Sequence, residues 1–553
     1  MKNWNILANI SNKEYRVDDI IRALLKNRGI TKEAAKAAFL HPKDPVDVTP
    51  KDVGINVKEL KRAFQRTQKA INGKESIVVY TDYDADGITA GAVLWEALYE
   101  LGARVMPYVP HRIDEGYGLS EKGIDRVQKE FDPTLIITVD HGITAVSQVA
   151  YAKKHGIDVV VTDHHVKQKK YPDCPIIHTT DLSGAGVSWF LANMLLGKNK
   201  EKARDLLALT AIGTIADMVP LVGANRSIVV YGLKELKITK RLGIVALVKD
   251  AGILQSAITT SDVSHVLAPR INAMGRLEHA LDALRLLCTK SPDRATSLAQ
   301  VLSVTNKDRQ QLTIDTTVHA IDMYKKKDAK TIPHILVVSD ASYNQGVIGL
   351  VAGKLVETYY RPAIVIAEGE LISKASVRSI RGFDVISFLR NHSSLLVDVG
   401  GHPMAAGFTI ETRNIKKFTK EVEDAAKRDI QESLLVKSIV IDLEIPFRAV
   451  RSSLYEKIQE FAPFGLGNPE PVFATKEVTV ETIRLIGAKQ NHLKLKLSNP
   501  SIKIPFDAVG FGMGEWYGNM KQGMITDVAY TINMNQWNGK TSLQLKIRDI
   551  TIQ

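Results

Sequence analysis

Ser76-Ile77-Val78-Val79-Tyr80-Thr81-Asp82-Tyr83-Asp84-Ala85-Asp86-Gly87 is the stretch that decides the fold. Its first five residues are an apolar run of strand length, a polar loop with three acids comes next, and residues 88–101 continue as a helix. Downstream the pattern repeats. Residues 104–109, 135–139 and 158–161 are further strand-like runs, with a helix over 145–154 between the last two. Apolar runs of this length alternating with helices predict an α/β domain whose mostly parallel sheet is covered on both faces.

The acids fall where such a sheet binds ligands. Asp82, Asp84 and Asp86 follow the first strand, Asp140-His141-Gly142 follows the run ending at Val139, and Asp163-His164-His165 lies just beyond Val161. Loops at the carboxyl ends of parallel strands converge on one crevice. A further acid, Asp217, ends the apolar segment Gly213-Thr214-Ile215-Ala216. Carboxylates crowded together resist ionising unless a cation sits among them. Oxygen-rich ligands with one or two imidazoles suit Mn²⁺ or Mg²⁺ better than a structural zinc. Two such ions ~3.5–4 Å apart can hold the attacking and the leaving oxygen of a phosphoester hydrolysis. A calcium loop is disfavoured, because no Glu occupies its twelfth position and the flanks are strand then helix. Singly, each feature has a bland explanation: a solvated turn, a surface His-His pair, a local hydrogen-bonder. All would have to hold at once in one sheet.

Outward from this core, the 553 residues predict two to four domains. Residues 1–70 read as an N-terminal helical segment, with short helices around the turn Arg28-Gly29-Ile30 and a break at His41-Pro42-Lys43-Asp44-Pro45. The parallel-sheet domain spans 71–225 and a basic helical connector 226–330. A second, smaller α/β unit spans 331–430, opened by Ile335-Leu336-Val337-Val338 and Pro362-Ala363-Ile364-Val365-Ile366. Short alternating strands over 431–553, such as Val478-Thr479-Val480 and His492-Leu493-Lys494-Leu495-Lys496-Leu497, predict a small β-barrel of OB type.

Composition narrows the setting. Hydrophobic residues at 45% and charged ones at 24% argue against disorder, and the net charge of +12 favours an anionic partner such as nucleic acid. Cys174 and Cys288 form no CxxC pair, which excludes a disulfide framework or thiolate zinc site and fits a reducing, cytoplasmic compartment. No apolar stretch approaches signal-peptide or membrane-span length, so no membrane association is expected.

Asp163-His164-His165 resembles the signature of the DHH phosphoesterase superfamily, and Asp82 to Gly87 its first motif. Gly400-Gly401-His402 with Ala405-Ala406-Gly407 resembles the glycine-rich signature of the companion DHHA1 domain. Within the superfamily the chain resembles the RecJ family. That likeness rests on Pro110-His111-Arg112, Glu115-Gly116-Tyr117-Gly118, Ala268-Pro269-Arg270-Ile271-Asn272-Ala273, Gly275-Arg276-Leu277, Gly346-Val347-Ile348-Gly349, Ser376-Val377-Arg378-Ser379, Pro463-Phe464-Gly465 and Gly467-Asn468-Pro469, in order along nearly the whole chain.

The resemblance implies a parallel-sheet DHH domain, a helical connector, a smaller DHHA1 domain and a C-terminal OB barrel. It implies a metal-dependent exonuclease that hydrolyses single-stranded DNA from the 5′ end to 5′-mononucleotides, in DNA repair and recombination. Two divalent ions, Mn²⁺ preferred or Mg²⁺, would be held by Asp82, Asp84, Asp86, Asp140, His164 and Asp217, with Asp140 as the bridge. Asp163 would orient the imidazoles and His165 would sit by the scissile phosphate. Arg276, Ser376 and Arg378 would bind the terminal 5′ phosphate, and Arg112, Tyr117, Arg270, Gly400, Gly401 and His402 would contact the substrate. In the barrel, Arg484, Lys494 and Lys496 with Phe506, Phe511 and Trp516 fit single-strand binding. A single-stranded-DNA-binding protein or a helicase would be the protein partner. The chain ends with the barrel, so an extra C-terminal domain carried by some relatives is expected to be absent.

Two residues depart from the family pattern. His141 stands where a small or thiol residue precedes the glycine, and would either add a ligand or point away. Asn344 stands where the family has a histidine. Three rival readings are a small-substrate DHH phosphodiesterase acting on short oligonucleotides, an exonuclease acting on RNA, and a non-catalytic nucleic-acid-binding scaffold. More than a hundred residues after the glycine-rich signature argue against the first, and the intact acidic set against the last.

Overall fold

The computed structural model describes residues 3–10, 14–112, 114–325, 332–537 and 539–552. The chain divides into two units, Pro42–Leu435 and a second one made of Met1–His41 with Val436–Gln553.

In the larger unit the apolar runs become a five-stranded parallel sheet. Its order is Arg104–Tyr108, Ser76–Thr81, Leu135–Val139, Asp158–Asp163, Ile176–His178. Both faces are covered, as the continuous apolar runs require. Ile77, Val79, Ile137 and Val160 pack on the helices Ala85–Glu100, Gly184–Leu196 and Leu207–Ala216. Val78, Ile136, Val159 and Val161 pack on Glu121–Phe131 and Val146–Lys154. From Ser76–Thr81 the chain moves first to one neighbour, Arg104–Tyr108, and then to the other, Leu135–Val139. This reversal is the switch point at which doubly wound sheets open a crevice beyond the strand ends. Asp82 and Asp140 leave the sheet there.

The connector is part of this core. Ile244, Leu267, Ile271, Met274, Leu284 and Leu302, from its successive helices, join the same hydrophobic cluster as the sheet. It ends in the 34-residue helix Pro292–Lys325. The second sheet runs Leu396–His402, Ala405–Glu411, Ile372–Arg378, Ala363–Ala367, Leu336–Asp340, parallel only in the last pair.

In the smaller unit, Phe473–Ile486, His492–Ser498, Phe506–Gly510, Lys540–Ile552 and Ile525–Trp537 close into a barrel, because the first also pairs with the last. The N-terminal reading needs a correction here. The chain begins with a strand, Asn3–Ala8, which pairs in parallel with Ser438–Glu444. Helix Val17–Asn27 buries Ile20, Leu24 and Leu25 against Leu443, Phe447, Phe461 and Phe473. Arg28 donates to Asn468 Oδ1 at 3.1 Å and to the Pro469 carbonyl at 2.6 Å, so Gly467-Asn468-Pro469 is a dock for the chain's own N-terminal region. By contrast, helix Val57–Asn72 buries Leu60, Ala63, Ala70 and Ile71 in the core of the larger unit. The expected 1–70 segment is thus shared between the two units, with the division at His41. A strand as polar as Asn3-Trp4-Asn5-Ile6 has no apolar run to announce it; only its partner strand makes it one.

Candidate metal centre and phosphate pocket

Only Asp82, Tyr83 and Asp84 separate the strand Ser76–Thr81 from the helix Ala85–Glu100. The helix starts three residues before the sequence pattern suggests, because Asp84 caps it: its Oδ1 accepts from Asp86 N and Gly87 N, each at 3.0 Å. Asp86 is thereby lifted into the first helical turn. Gly87 is obligatory, since a Cβ there would stand 2.6 Å from that of Asp82. Asp140 lies in the left-handed region at φ 67°, a strained placement typical of functional loops. The strand Asp158–Asp163 runs two residues further than its apolar run, because Thr162 and Asp163 pair with Ile177 and His178.

Ligand atoms of Asp82, Asp84 and Asp140 lie within 4.8 Å of one another, and so do those of Asp86, His164 and Asp217, and of Asp140, His164 and His165. The six sequence-derived ligands therefore come together in two lobes. Asp140 Oδ1 joins the lobes at 3.1 Å from His164 Nε2, and Asp217 Oδ2 lies 3.7 Å from the same nitrogen. Asp163 is used differently. Its carboxylate accepts from Ile143 N at 2.8 Å, His164 N at 2.6 Å, His165 N at 3.0 Å and, with the tautomer set by this contact, His165 Nδ1 at 2.8 Å. That leaves His165 Nε2 facing the Tyr117 hydroxyl at 3.3 Å.

One supporting element has no counterpart among the sequence-derived candidates. Gly184 N and Ala185 N, opening the helix Gly184–Leu196, donate to the two oxygens of Asp86 at 2.6 and 3.0 Å. A Cβ on Gly184 would lie 2.2 Å from Asp140 Oδ1, and one on Gly213 2.5 Å from Asp86 Oδ1. The signal in the sequence was a capping serine followed by small residues, Ser183-Gly184-Ala185-Gly186, opening an apolar helix.

The electrostatics are those of a cation site. Burial, and then repulsion from neighbouring carboxylates, pushes Asp82 and Asp140 well above the usual carboxylate range, Asp86 up to about 7 and Asp217 up to about 8. Burial and the neighbouring His165 push His164 down to about 4, which leaves it a neutral donor for a metal. Burial also opposes charge on His165, but the hydrogen bond and charge of Asp163 outweigh it and lift that imidazole to about 9. Asp163, despite its burial, is held below the usual range by His165 and the backbone amides. Asp140 Oδ1 is buried and makes no well-formed hydrogen bond, although His164 Nε2 is close. An orphaned oxygen among mutually repelling acids fits a pair of divalent cations.

His141 points away. Its buried ring contacts the Tyr80 carbonyl through Nε2 at 3.1 Å and meets the Tyr80 ring edge-on. Asn344 caps a turn, its Oδ1 accepting from Gly346 N at 2.7 Å.

Beside the acids lies a pocket of opposite sign. Arg276 Nη1 donates to the Gly346 carbonyl at 3.0 Å, and Arg378 Nη1 lies 3.4 Å from Ser376 Oγ. Glycine makes this proximity possible: a Cβ on Gly346 would strike the Arg276 carbonyl at 2.3 Å, and one on Gly349 the Ser376 hydroxyl at 2.9 Å. Burial, helped by Arg112, Arg309 and Arg378, pushes Arg276 down to about 10. Arg112 rests over the Tyr83 ring at 5.3 Å. Among the described residues none of these four arginines has a carboxylate within ion-pairing distance. Arg309 is an addition to the sequence-derived set. On the helix Pro292–Lys325 it donates Nε and Nη2 to Asn306 Oδ1, and a lone helical arginine carries no local signal of its role.

Arg270 donates to Ser303 Oγ at 3.0 Å and to the Val266 carbonyl at 2.9 Å, within the connector. Gly400, Gly401 and His402 lie on the exposed edge strand of the second sheet. There His402 is opposite Ala405, itself opposite Arg378.

The DHH family N-terminal domain matches residues 76–214, the DHHA1 domain residues 333–428 and the RecJ OB domain residues 441–549. The single-stranded-DNA-specific exonuclease RecJ of Bacillus subtilis is 36% identical over 552 residues, 98% of this chain and 69% of that one. The chain belongs to the RecJ family. RecJ of Thermus thermophilus is 32% identical over 517 residues, 91% of this chain and 72% of that one. Its crystal structure in complex with Mn²⁺ matches with a TM-score of 0.83 over 99% of this chain and 79% of that one, at 28% identity. An exonuclease RecJ structure bound to manganese matches at 34% identity and a TM-score of 0.59, over 68% of this chain and 95% of that one. Among the described residues no helix is long and apolar enough to cross a membrane.

Proposed function

We propose that the protein is a metal-dependent exonuclease that degrades single-stranded DNA from its 5′ end to 5′-mononucleotides. The observation that carries this reading is the adjacency of two unneutralised clusters of opposite sign. The helix Ala268–Leu277 packs so tightly on the Tyr83 turn that a Cβ on Gly275 would come within 2.5 Å of the Tyr83 carbonyl. Arg276, next in the chain, lies within electrostatic reach of Asp84. A terminal phosphate held by Arg276, Ser376 and Arg378 would thus leave the next phosphodiester over the acids, which supports release of one nucleotide at a time.

Asp82, Asp84 and Asp140 would hold one cation and Asp86, His164 and Asp217 the other, with Asp140 between them. Such a pair supplies a nucleophile at neutral pH and Lewis acidity toward phosphate oxygens. The chain's own residues do the positioning. His165, charged at neutral pH and held through Nδ1 by Asp163, presents Nε2–H to a phosphate oxygen. The Tyr117 hydroxyl, 3.3 Å from that nitrogen, would contact the same phosphate. Arg112 would contact the strand near the terminal phosphate, and Gly400, Gly401 and His402, whose strand is one removed from that of Arg378, would contact it too. Guanidinium forks with a hydroxyl favour a phosphate monoester at the terminus over a bare hydroxyl.

The reading is tested with the purified protein, Mn²⁺ and end-labelled single-stranded DNA, duplex DNA, RNA and dinucleotides. Mononucleotide release from the DNA 5′ end supports it; activity confined to dinucleotides, or starting from the 3′ end, overturns it. A cytoplasmic place in repair and recombination, beside a helicase or a single-stranded-DNA-binding protein, goes with this reading and is tested by co-purification.

A further inference from the structure

Immediately after His165 the chain reads Val166-Lys167-Gln168-Lys169-Lys170-Tyr171, a surface loop with no acid in it. Val166 and Tyr171 are 65% and 59% exposed, although large apolar and aromatic side chains gain by burial. Lys167 Nζ rests 5.8 Å over the Tyr171 ring. Among the described residues none of the three lysines has a carboxylate within 4.0 Å, whereas nearby Lys153 pairs with Asp173 at 3.0 Å and Arg62 with Glu59 at 2.9 Å. Three like charges within four residues repel one another, and no ion pair offsets that repulsion.

Sheet order locates this loop. Arg112 follows the edge strand Arg104–Tyr108 and Lys167 follows Asp158–Asp163, with the two acid-bearing strands between them. Three strand spacings separate the flanks by about 14 Å. A chain of phosphates laid across the strand ends would pass from the arginine pocket, over the acids and His165, onto the lysine loop. Lys167 and Tyr171 also line a cleft of about 670 Å³ together with Glu59, Asp173 and Asp181, whose carboxylates would repel phosphates, so the path proposed is the strand-end side of the loop and not this cleft.

We propose that Lys167, Lys169, Lys170 and Tyr171 form a second binding surface for the single strand, on the far side of the metal centre from the arginine pocket, holding the phosphates and a base of the strand still to be degraded. This deepens the exonuclease reading and rests on it for the direction of the strand. Unpaired ammonium groups beside an exposed aromatic ring are the elements with which single strands are bound without regard to sequence.

The test is binding of a 3′-labelled, 5′-phosphorylated 20-mer to the full chain in EDTA, where nothing is cleaved, at several salt concentrations. Compared with the natural sequence, K167S/K169S/K170S should weaken binding at least about tenfold at 0.1 M salt. It should also lower the slope of log Kd against log salt by about 2, as loss of three single-strand phosphate contacts requires. K167R/K169R/K170R should retain the slope. Calorimetric Mn²⁺ affinity should be the same in all three proteins. An unchanged slope in the serine variant overturns the proposal, as does a parallel loss of Mn²⁺ affinity, which would mean that the loop only holds His164 and the metal centre in place. Unchanged strand binding with loss of an acidic peptide that the natural protein retains would overturn it in favour of a protein partner. Because no arm requires cleavage, a protein that shows the slope change but does not degrade DNA would sink the exonuclease reading and leave this surface standing.

Discussion

Asp82, Asp86 and Asp140 crowd together in the interior, and within electrostatic reach of Asp84, Arg276 gathers Arg309 and Arg378 around it with the opposite sign. Elsewhere the protein neutralises partly buried charge from within. Arg241 forks onto Glu96 at 2.6 and 2.9 Å and onto Asp205 at 3.1 and 2.6 Å, and Lys202 reaches both acids. At Arg241 the chain supplies the counter-charges itself; the crowded acids are left to divalent cations, and under the proposed function the arginines are left to a terminal phosphate.

The sharpest way to break this comparison is to remove the oxygen that joins the two lobes. Asp140→Ala should cost at least about a thousandfold in nuclease rate, roughly 4 kcal/mol, with the fold intact. Mn²⁺ at a hundred times its Kd should stabilise the natural protein by about 2.7 kcal/mol and the variant far less, read as melting shifts. Full activity of the variant on 5′-phosphorylated single strands would remove the two-metal reading.

The internally paired network is the control. Glu96→Ala leaves Arg241 and Lys202 short of a partner and should destabilise the protein by about 3–5 kcal/mol without altering Mn²⁺ dependence. Burial opposes ionisation of Glu96, yet Arg241 and Lys202 hold it below its usual pKa. Its contribution is therefore present above the usual glutamate range and is lost as pH falls through and below it. Denaturant melts from pH 7 to pH 3 should show this loss in the natural protein and not in the variant.

Arg378→Ala should then reduce the preference for a phosphorylated over an unphosphorylated 5′ end by about ten- to a hundredfold, the worth of one or two charged hydrogen bonds, with Mn²⁺ affinity unchanged. Equal cleavage of both ends by both proteins would contradict the pocket. The smallest effect on chemistry belongs to His141. His141→Asn should lower stability by about 1–3 kcal/mol through its buried contact with Tyr80 and leave Mn²⁺ dependence as it was. A changed metal preference would show that the imidazole reaches the site after all.

The two clusters also differ in how far they can be read without coordinates. Asp82, Asp84, Asp140 and His164 come directly after apolar runs, and parallel strands deliver the residues at their carboxyl ends to one crevice, whatever the rest of the chain does. Asp217 stands at a helix end with no such rule, yet it arrives at the same place. The arginine pocket draws on Arg112, Arg276, Arg309 and Arg378, four segments whose only common property is position in space. Motif likeness pointed to three of them and passed over Arg309. It also suggested Arg270, whose guanidinium donates to Ser303 and to the Val266 carbonyl within the connector. The lysine loop needed both kinds of knowledge: its charges are plain in the sequence, and their lack of partners is not.

The sequence by itself determined the alternating strands and helices, the acids at their ends and the chemistry those acids can support. These depend on local periodicity and on a geometric rule of parallel sheets. Tertiary structure alone decided that Asn3–Ala8 becomes a strand of the barrel unit, that Gly184 and Ala185 brace Asp86, that His141 turns away, and that Arg309 comes within electrostatic reach of Arg276. Each of those depends on which distant backbone supplies a hydrogen bond or a clearance, and no local pattern encodes such a partner.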